Sequence, residues 1–244
     1  MFTFITTYYD NSFYLEKFIE RHRTARDYKI IIVDDCSQKY PAYDILKDAN
    51  VTNINLFRVL DRVGFNSHGC RNLAMQQTTT EWNLLCDIDY DAIGVSIINE
   101  AIPDLDPTQP CFLPVVTFET KKKDCQSIND FLVTKNTYWK AGGYDTEFTG
   151  MHFGDRIFIS RMTRGACEQV LFEECWLEEM ESQIAHRVQI ESNDLIEEFD
   201  KKEGKMIYST AMKRLVDRTT QLVHSRWKHN IMCDPVPFRW EQQI

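Results

Sequence analysis

The sequence contains no long hydrophobic run. Its longest uninterrupted aliphatic stretch is the four residues 30–33, whereas a helix that spans a membrane needs about 20 apolar residues. The first five residues carry no basic stretch and begin an alternating apolar pattern, which argues against a secretory signal peptide. We therefore expect a cytoplasmic chain without a transmembrane segment.

Closely paired cysteines and glycine-rich nucleotide motifs are missing too. The eight cysteines stand eight or more residues apart, which excludes zinc-ribbon spacing and favours reduced thiols that pack as small apolar side chains. The nine glycines form neither the GxGxxG dinucleotide motif nor a P-loop. If the protein binds phosphates, a cation held by carboxylates would have to neutralise them.

The composition is that of a folded domain with an acidic body and a basic tail. Of the 244 residues, 43% are hydrophobic and 12% aromatic, and the formal net charge is −9. Residues 201–244 hold 9 Lys and Arg against 4 Asp and Glu, whereas residues 1–200 hold 19 against 33. The tail is either a solvated helix face or a surface for an anionic acceptor, a lipid headgroup or a nucleic acid, and a lipid contact would make the protein membrane-peripheral.

Strand-like and helical patterns alternate along the first half of the chain. Strands are predicted at 2–6, 29–33, 53–59, 82–86 and 111–118, and helices after Asn11 and Ser12, at 42–49 behind Pro41, and at 67–77. This order predicts an α/β fold with a mostly parallel sheet flanked by helices. Because ligands bind at the carboxyl ends of parallel strands, the loops after the strands are the place to look for a site.

Acidic clusters follow several of these strands. The cluster after the strand 82–86 contains Asp87, Asp89 and Asp91, which could together chelate a hard divalent cation through their carboxylate oxygens. A D-x-D sequence after a buried strand also suits Mg²⁺ or Mn²⁺ held by one or two carboxylates, with substrate phosphates completing the shell. A solvated turn is the structural alternative, since Asp favours turns.

Several motifs follow one another in a fixed order between residues 2 and 165. They are TYYD (7–10) with YL (14–15), IVDDCS (32–37), Gly64 with RNLA (71–74), WNLLCDID (82–89), GGYD (142–145), and GD (154–155) with Arg161. In this order and spacing they resemble the family 2 glycosyltransferases of GT-A fold, with a weaker likeness near His186. The resemblance implies a Rossmann-like, nucleotide-diphospho-sugar transferase domain over residues 1–190, followed by a basic C-terminal extension over 191–244.

The resemblance implies a nucleoside diphosphate sugar donor, most simply a UDP-sugar. By position, Thr7 and Tyr9 would line the nucleoside pocket and Asp35 would accept a hydrogen bond from the uracil imide. Arg71 would face the nucleotide, and Asp87 would point towards the ribose or the metal.

It also implies a divalent cofactor, Mn²⁺ or Mg²⁺. Asp89 would be the principal metal ligand, with Asp87 beside it. His186 resembles a late histidine that approaches the diphosphate or the metal in some members, although a structural histidine fits the sequence equally well.

The base that activates the acceptor hydroxyl is implied to be Asp155. The family usually has a Glu-Asp pair here, whereas this chain has Gly154 before Asp155, so the first acidic member is missing, and some family members are similar in having Gly at that position. Asp155 could also cap a helix over 156–164, and both roles can coexist. Asp145, Glu147 and His152 would lie nearer the acceptor.

The tail beyond residue 190 matches none of these motifs. Its apolar spacing predicts helices that pack on the body or on a partner, carried by Phe199, Met206, Ile207, Met212, Leu215, Val216, Leu222 and Val223. Trp227, Phe238 and Trp240, standing among Arg226, Lys228 and Arg239, could form a surface that faces the acceptor.

The resemblance thus implies a metal-dependent, hexosyltransferase-like glycosyltransferase that inverts the anomeric carbon. Its acceptor is a hydroxyl on a glycan, a protein, a lipid-linked saccharide or a modified nucleic acid. Two alternatives stay open: a nucleotidyltransferase, and a degenerate GT-A module that binds sugar nucleotides without turnover.

Overall fold

The computed structural model describes residues 1–64, 66–116, 123–149, 154–163, 175–180, 196–200, 205–208 and 235–244. Helices and strands in these residues are β1 (Thr3–Tyr8), α1 (Ser12–His22), β2 (Lys29–Asp34), α2 (Ala42–Asp48), β3 (Ile54–Val59), α3 (Ser67–Gln77), β4 (Trp82–Leu85), β5 (Tyr90–Ile93), α4 (Ile98–Ala101), β6 (Cys111–Val116), β7 (Lys123–Thr134), α5 (Lys135–Lys140), α6 (Gly154–Met162), β8 (Trp176–Glu179), β9 (Ile196–Asp200), β10 (Lys205–Tyr208) and β11 (Trp240–Gln242).

The main sheet in the described residues has nine strands in the order β11-β3-β2-β1-β4-β7-β6-β8-β5. The strands β3, β2, β1 and β4 run parallel to one another, and β6 is parallel to β8. By contrast, β7 is antiparallel to both β4 and β6, β5 to β8, and β11 to β3. The prediction of a mostly parallel sheet is therefore correct only for its first half. Six residues separate β6 from β7, too few for the crossover that a parallel neighbour needs.

The parallel strands are buried on both faces because their apolar residues alternate between two cores. Phe4 packs with α1 and α2 on one face, in the cluster that contains Leu15 and Leu46. Its neighbour Ile5 packs on the opposite face with α3, α5 and α6, in the cluster that contains Leu73 and Phe158. Continuous apolar strands of this kind are typical of sheets covered by helices on both sides.

The helices of the first half begin and end close to where the sequence predicts. The side chain of Asn11 accepts a hydrogen bond from the Tyr14 backbone N–H, and α1 starts one residue later. Asn66 caps α3 in the same way, accepting from Gly69 N–H, so that α3 spans the predicted 67–77. These caps satisfy backbone donors that the first helical turn leaves without partners.

The helical extension predicted for 191–244 differs from the described part of that segment. Phe199, Met206 and Ile207 lie in β9 and β10, which pair antiparallel, and the four residues between the two strands are enough for a hairpin connection. Met212, Leu215, Val216, Leu222 and Val223 lie outside the described residues. The chain end does return to the body, because β11 pairs with β3.

The expectation that cysteines pack as free thiols agrees with the described residues. Cys36, Cys70, Cys86, Cys111 and Cys175 are free and buried. Within the described ranges, we find no helix that combines the length and apolarity needed to cross a bilayer.

Candidate active site at the ends of the central strands

The loops after β1 and β2 are joined by Asp10, a residue whose role the sequence analysis missed. Its carboxylate accepts hydrogen bonds from the backbone N–H groups of Gln38, Lys39 and Tyr40 at 3.1, 2.8 and 2.8 Å. Its own N–H donates to Ser37 Oγ at 2.9 Å. Three donors on one carboxylate hold the two strand-end loops together.

The residues predicted to line the nucleoside pocket lie beside these two connected loops. Thr7 and Tyr9 are partly exposed on either side of Tyr8, whose hydroxyl is turned inwards and donates to the Tyr40 carbonyl at 2.6 Å. Asp34 stabilises the turn after β2, because its buried carboxylate accepts hydrogen bonds from the N–H groups of Ser37 and Ala42, at 2.7 and 2.9 Å.

Asp35 ties the end of β2 to the start of α3. It is buried, and its Oδ2 accepts a hydrogen bond from Asn66 N–H at 2.8 Å. The neighbouring Cys70 thiol is buried as well, and burial together with the charge and hydrogen bond of Asp35 raises the pKa of that thiol. The carboxylate of Asp35 is thus held in place by α3, whichever ligand it meets.

Arg71 links α3 to the acidic turn after β4. Its Nη2 donates to Asp87 Oδ1 at 2.5 Å, and its Nη1 donates to the Asn129 carbonyl at 2.7 Å and to the Tyr144 hydroxyl at 2.8 Å. The Arg71 side chain is only 3% exposed, against 29% for Asp87. A buried guanidinium needs such partners, so Arg71 and Asp87 form one structural and electrostatic unit.

Behind this pair lies Asp130 on β7, a second residue that the sequence analysis missed. Asp130 Oδ1 accepts a hydrogen bond from Asp87 N–H at 2.5 Å, and its Oδ2 accepts from the Ser127 hydroxyl. Burial and the charge of Asp87 raise the pKa of Asp130 to about 7. In the sequence, Asp130 stands out only as a polar residue just before the apolar run 131–133, and that pattern does not indicate that β7 pairs with β4.

The three aspartates after β4 do not converge. Asp91 lies on β5, mostly buried, and forms an ion pair with Arg21 of α1. Among the described residues, no group of three or more His, Cys, Asp or Glu side chains is placed to hold a metal ion. Joint chelation by Asp87, Asp89 and Asp91 is therefore wrong, because the strand that follows the turn carries Asp91 towards α1.

A site with one or two carboxylates is compatible with this turn. Tyr90 N–H donates to the Asp87 carbonyl at 3.2 Å, which closes the turn, and Asp89 lies on it partly exposed. Mg²⁺ and Mn²⁺ accept such a ligand set when substrate phosphates and water supply the remaining oxygens. Asp89 and Asp87 are the described residues that could hold the cation in this way.

Asp155 lies in the first turn of α6, one residue inside a helix that begins at Gly154. Its Oδ1 is 3.1 Å from Nε2 of His68 on α3. Burial alone would raise the pKa of Asp155, but the hydrogen bond and charge of His68 and the charge of Arg71 outweigh it and hold the pKa below the ordinary value. The carboxylate is therefore ionised at neutral pH.

His68 itself is a third residue that the sequence analysis missed. It is buried, and its ring stacks on Tyr144 of the GGYD segment, with centroids 4.8 Å apart and planes 12° from parallel. Because Tyr144 also binds Arg71, α3 joins the turn at Asp87 to the carboxylate of Asp155 through one continuous set of contacts.

Comparison with known proteins identifies the fold. No protein-family model and no curated protein matches the chain. Among solved structures it is similar to TarS from S. aureus, with a TM-score of 0.58 and 14% identity over 73% of this chain and 36% of that chain. A second similar structure is TarS 1–349 in complex with UDP-GlcNAc, with a TM-score of 0.57 and 14% identity over 75% of this chain and 59% of that chain. A third is GalNAc-T7 with UDP, GalNAc and Mn²⁺, with a TM-score of 0.56 and 12% identity over 73% and 43%.

The chain has a GT-A glycosyltransferase-like fold. It spans between about a third and three fifths of the length of these structures.

Of the remaining predicted site residues, the structure describes Asp145 and Glu147. Asp145 is buried and caps the short 3₁₀ helix Thr146–Phe148, accepting from the N–H of the exposed Glu147 at 3.1 Å. His152 and His186 lie outside the described residues.

The aromatic surface predicted for the tail is only partly described, and Phe238 does not belong to it. Phe238 is buried in the core beside α3, where Gly69 has no side chain and leaves room for its ring. Trp240 packs edge-on against Phe57, and Arg239 pairs with Asp61 at 2.6 Å. Trp227, Arg226 and Lys228 lie outside the described residues. The apolar character of Phe238 thus serves packing, because β11 returns this part of the chain to the sheet.

Proposed function

We propose that the chain is a metal-dependent glycosyltransferase that moves a sugar from a nucleoside diphosphate sugar, of the UDP class, to an acceptor hydroxyl. The observation that supports this proposal most directly is that α3 connects Asp35, the Arg71–Asp87 pair and Asp155 at the strand ends of one GT-A-like sheet. Support also comes from the similar structures, which hold UDP-GlcNAc in one case and UDP with Mn²⁺ in another.

On the donor side, Thr7, Tyr9 and Asp35 would bind the nucleoside. Arg71 would stabilise the nucleotide end of the site through Asp87, with which it already forms an ion pair. Because the Asp87 carboxylate is already paired with the Arg71 guanidinium, Asp89 would be the principal metal ligand.

A divalent cation would contribute charge stabilisation on this side. When bound, Mn²⁺ or Mg²⁺ would supply positive charge that stabilises the negative charge developing on the leaving diphosphate. Asp89 and Asp87 would hold it, and His186 would be a further ligand.

On the acceptor side, Asp155 would act as the general base. Its carboxylate takes the proton of the acceptor hydroxyl as the hydroxyl oxygen attacks the anomeric carbon and the bond to the diphosphate oxygen breaks. A single displacement of this kind inverts the anomeric carbon. The pKa of Asp155 lies below the ordinary value, so its carboxylate is in the proton-accepting form at neutral pH.

The acceptor surface would include the exposed Glu147 together with His152, and the buried Asp145 would support it by accepting a hydrogen bond from Glu147 N–H. The acceptor itself would be a glycan, a protein, a lipid-linked saccharide or a modified nucleic acid. We also propose a cytoplasmic location, membrane-peripheral where the basic residues of 201–244 meet anionic lipid. Sedimentation with vesicles that contain phosphatidylserine, at low and high salt, tests that contact.

The test is donor binding and turnover. Calorimetry with UDP, with and without Mn²⁺, and release of UDP from UDP-glucose, UDP-galactose and UDP-GlcNAc should both be positive. Asp155→Asn should keep UDP binding and lose transfer, whereas the exposed control Asp104→Asn should change neither. Failure of the wild-type protein to bind or hydrolyse any nucleoside diphosphate sugar would refute the proposal.

Gly154 favours one alternative, a GT-A-like module that binds sugar nucleotides without turnover, because the first acidic residue of the family pair is missing. Donor binding with no UDP release over long incubation would support that alternative. Release of pyrophosphate would instead indicate a nucleotidyltransferase.

A further inference from the structure

We propose that His68 is a positioning residue for Asp155 in the transfer reaction, and that Gly154 is the residue that makes room for it. This inference rests on the proposed function and concerns His68, which lies outside the motifs found in the sequence.

The first observation is the contact itself. His68 Nε2 lies 3.1 Å from Asp155 Oδ1, and the side chain of His68 is 6% exposed against 24% for Asp155. An ionised carboxylate can only accept hydrogen bonds, so Nε2 carries the proton and donates it. The bond comes from the buried side of Asp155 and fixes one carboxylate oxygen, which leaves Oδ2 to receive the proton of the acceptor.

The second observation is the support of the ring. Stacking on Tyr144, with planes 12° from parallel, holds the His68 ring in one orientation. Tyr144 is held in turn by Arg71 and by Asn72, whose Oδ1 accepts from Tyr144 N–H at 2.9 Å. A group that must place a reacting oxygen needs this kind of rigid support.

The third observation concerns Gly154. A Cβ atom at this position would stand 2.4 Å from Cε1 and 3.0 Å from Nδ1 of His68, and 3.0 Å from Cβ of Phe148. These distances are shorter than van der Waals contact, so any other residue at 154 would displace the ring. The missing acidic residue before Asp155 is thus explained by the histidine that occupies its space.

The titratable groups that face Asp155 in the described residues lie on α3 and in the GGYD segment. They are His68 and Arg71 on α3, with the Tyr144 hydroxyl beside them. Loss of the His68 hydrogen bond should therefore destabilise the ionised carboxylate, while Arg71 still favours it.

The experiment compares His68→Phe, His68→Gln and wild type. Phenylalanine keeps a flat ring on Tyr144 but cannot donate, whereas glutamine can donate from its amide. With a UDP-sugar and Mn²⁺, we expect His68→Phe to lower kcat by about 10- to 100-fold while donor KM and UDP affinity stay within about twofold. The acid limb of its pH profile should move to higher pH, and His68→Gln should restore most of kcat.

A matched control is His22→Phe, the same change at another buried histidine, which is the last residue of α1 and hydrogen-bonds the Tyr28 hydroxyl. It should leave kcat unchanged. Gly154→Ala should reproduce the kcat loss, and its combination with His68→Phe should cost no more than either change alone, because both remove the same contact.

If folded His68→Phe has the kcat of the wild type, the inference is overturned. It is also overturned if His68→Phe loses UDP binding by the same factor as kcat, because His68 would then be a donor-site residue. If the wild type neither binds UDP nor transfers sugar, the proposed function fails, and the positioning role fails with it. In every case, ring ¹⁵N spectra report on the pair itself, since Asp155→Asn should shift the Nε2 signal of His68. An unchanged signal would refute the contact.

Discussion

Replacing Asp87 and Asp89 separately by alanine should separate a structural carboxylate from a metal ligand. The two residues belong to one D-x-D sequence, but the structure gives them different surroundings. Asp87 pairs with the buried Arg71 and donates its N–H to Asp130, whereas Asp89 lies on the turn and is partly exposed. We expect Asp87→Ala to destabilise the fold and Asp89→Ala to abolish metal-dependent UDP binding.

The size of the first effect follows from the burial of Arg71. Removing one partner of a buried ion pair costs about 3–5 kcal/mol, because the other charge is left without compensation. Asp87 is 29% exposed, so solvent already screens part of the interaction. Asp130 provides further compensation, since loss of the Asp87 charge makes its own ionisation easier. We therefore expect Asp87→Ala to lower the free energy of unfolding by about 3 kcal/mol, a large share of the roughly 5–15 kcal/mol typical of a domain.

Urea unfolding measures that loss, and calorimetry with UDP with and without Mn²⁺ measures the site. Asp89→Ala should unfold within about 0.5 kcal/mol of wild type, as partly exposed substitutions usually do, yet show the same weak UDP binding with Mn²⁺ as with EDTA. Arg71→Met combined with Asp87→Ala should destabilise by less than the sum of the single changes, because both break one pair.

Two results would refute this reasoning. If Asp87→Ala unfolds at the wild-type urea concentration, the Arg71 pair does not stabilise the fold. If Asp89→Ala keeps its Mn²⁺-dependent affinity for UDP, another residue holds the cation.

Three further predictions concern the elements that hold the site. Asn72→Ala should lower the free energy of unfolding by about 3–5 kcal/mol in urea, because its buried amide satisfies both backbone groups of Tyr144; a loss below 1 kcal/mol would contradict this. Phe238→Ala should cost about 3 kcal/mol in the same assay, since its ring fills the space beside Gly69, and a neutral result would show that the chain end does not stabilise α3. Burial and the neighbouring Arg21 lower the pKa of His22 to about 4, so between pH 6.5 and 4 the unfolded state binds a proton that the folded state does not. The free energy of unfolding should therefore fall by up to about 3 kcal/mol from pH 6.5 to 4. His22→Phe should remove this part of the pH dependence of stability.

The local elements of the first half could be predicted because their causes are local. The β-branched run of β2 and the helical spacing after Asn11 each predict their element from neighbouring residues alone. The capped helix α3 matches the predicted 67–77 for the same reason. The second half was harder, because an antiparallel strand such as β7 differs from a parallel one only in the partner it meets.

The contacts of the candidate site could not be predicted, because they join residues far apart in the chain. His68 and Asp155 are separated by 87 positions, and no spacing rule connects a histidine on one helix with the first turn of another. Asp130 was missed for a similar reason, since its partner Asp87 stands 43 positions away across the β4–β7 pair.

The sequence alone therefore determined which segments of the first half become strands and helices, and which polar residues stand at the strand ends. Periodicity, caps and turn residues act over a few positions, so a linear reading captures them. Only the tertiary structure decided that Asp91 turns to Arg21, that Arg71 neutralises Asp87, and that Gly154 admits His68 to Asp155. Those outcomes depend on how the sheet orders its strands and on the space left between packed helices.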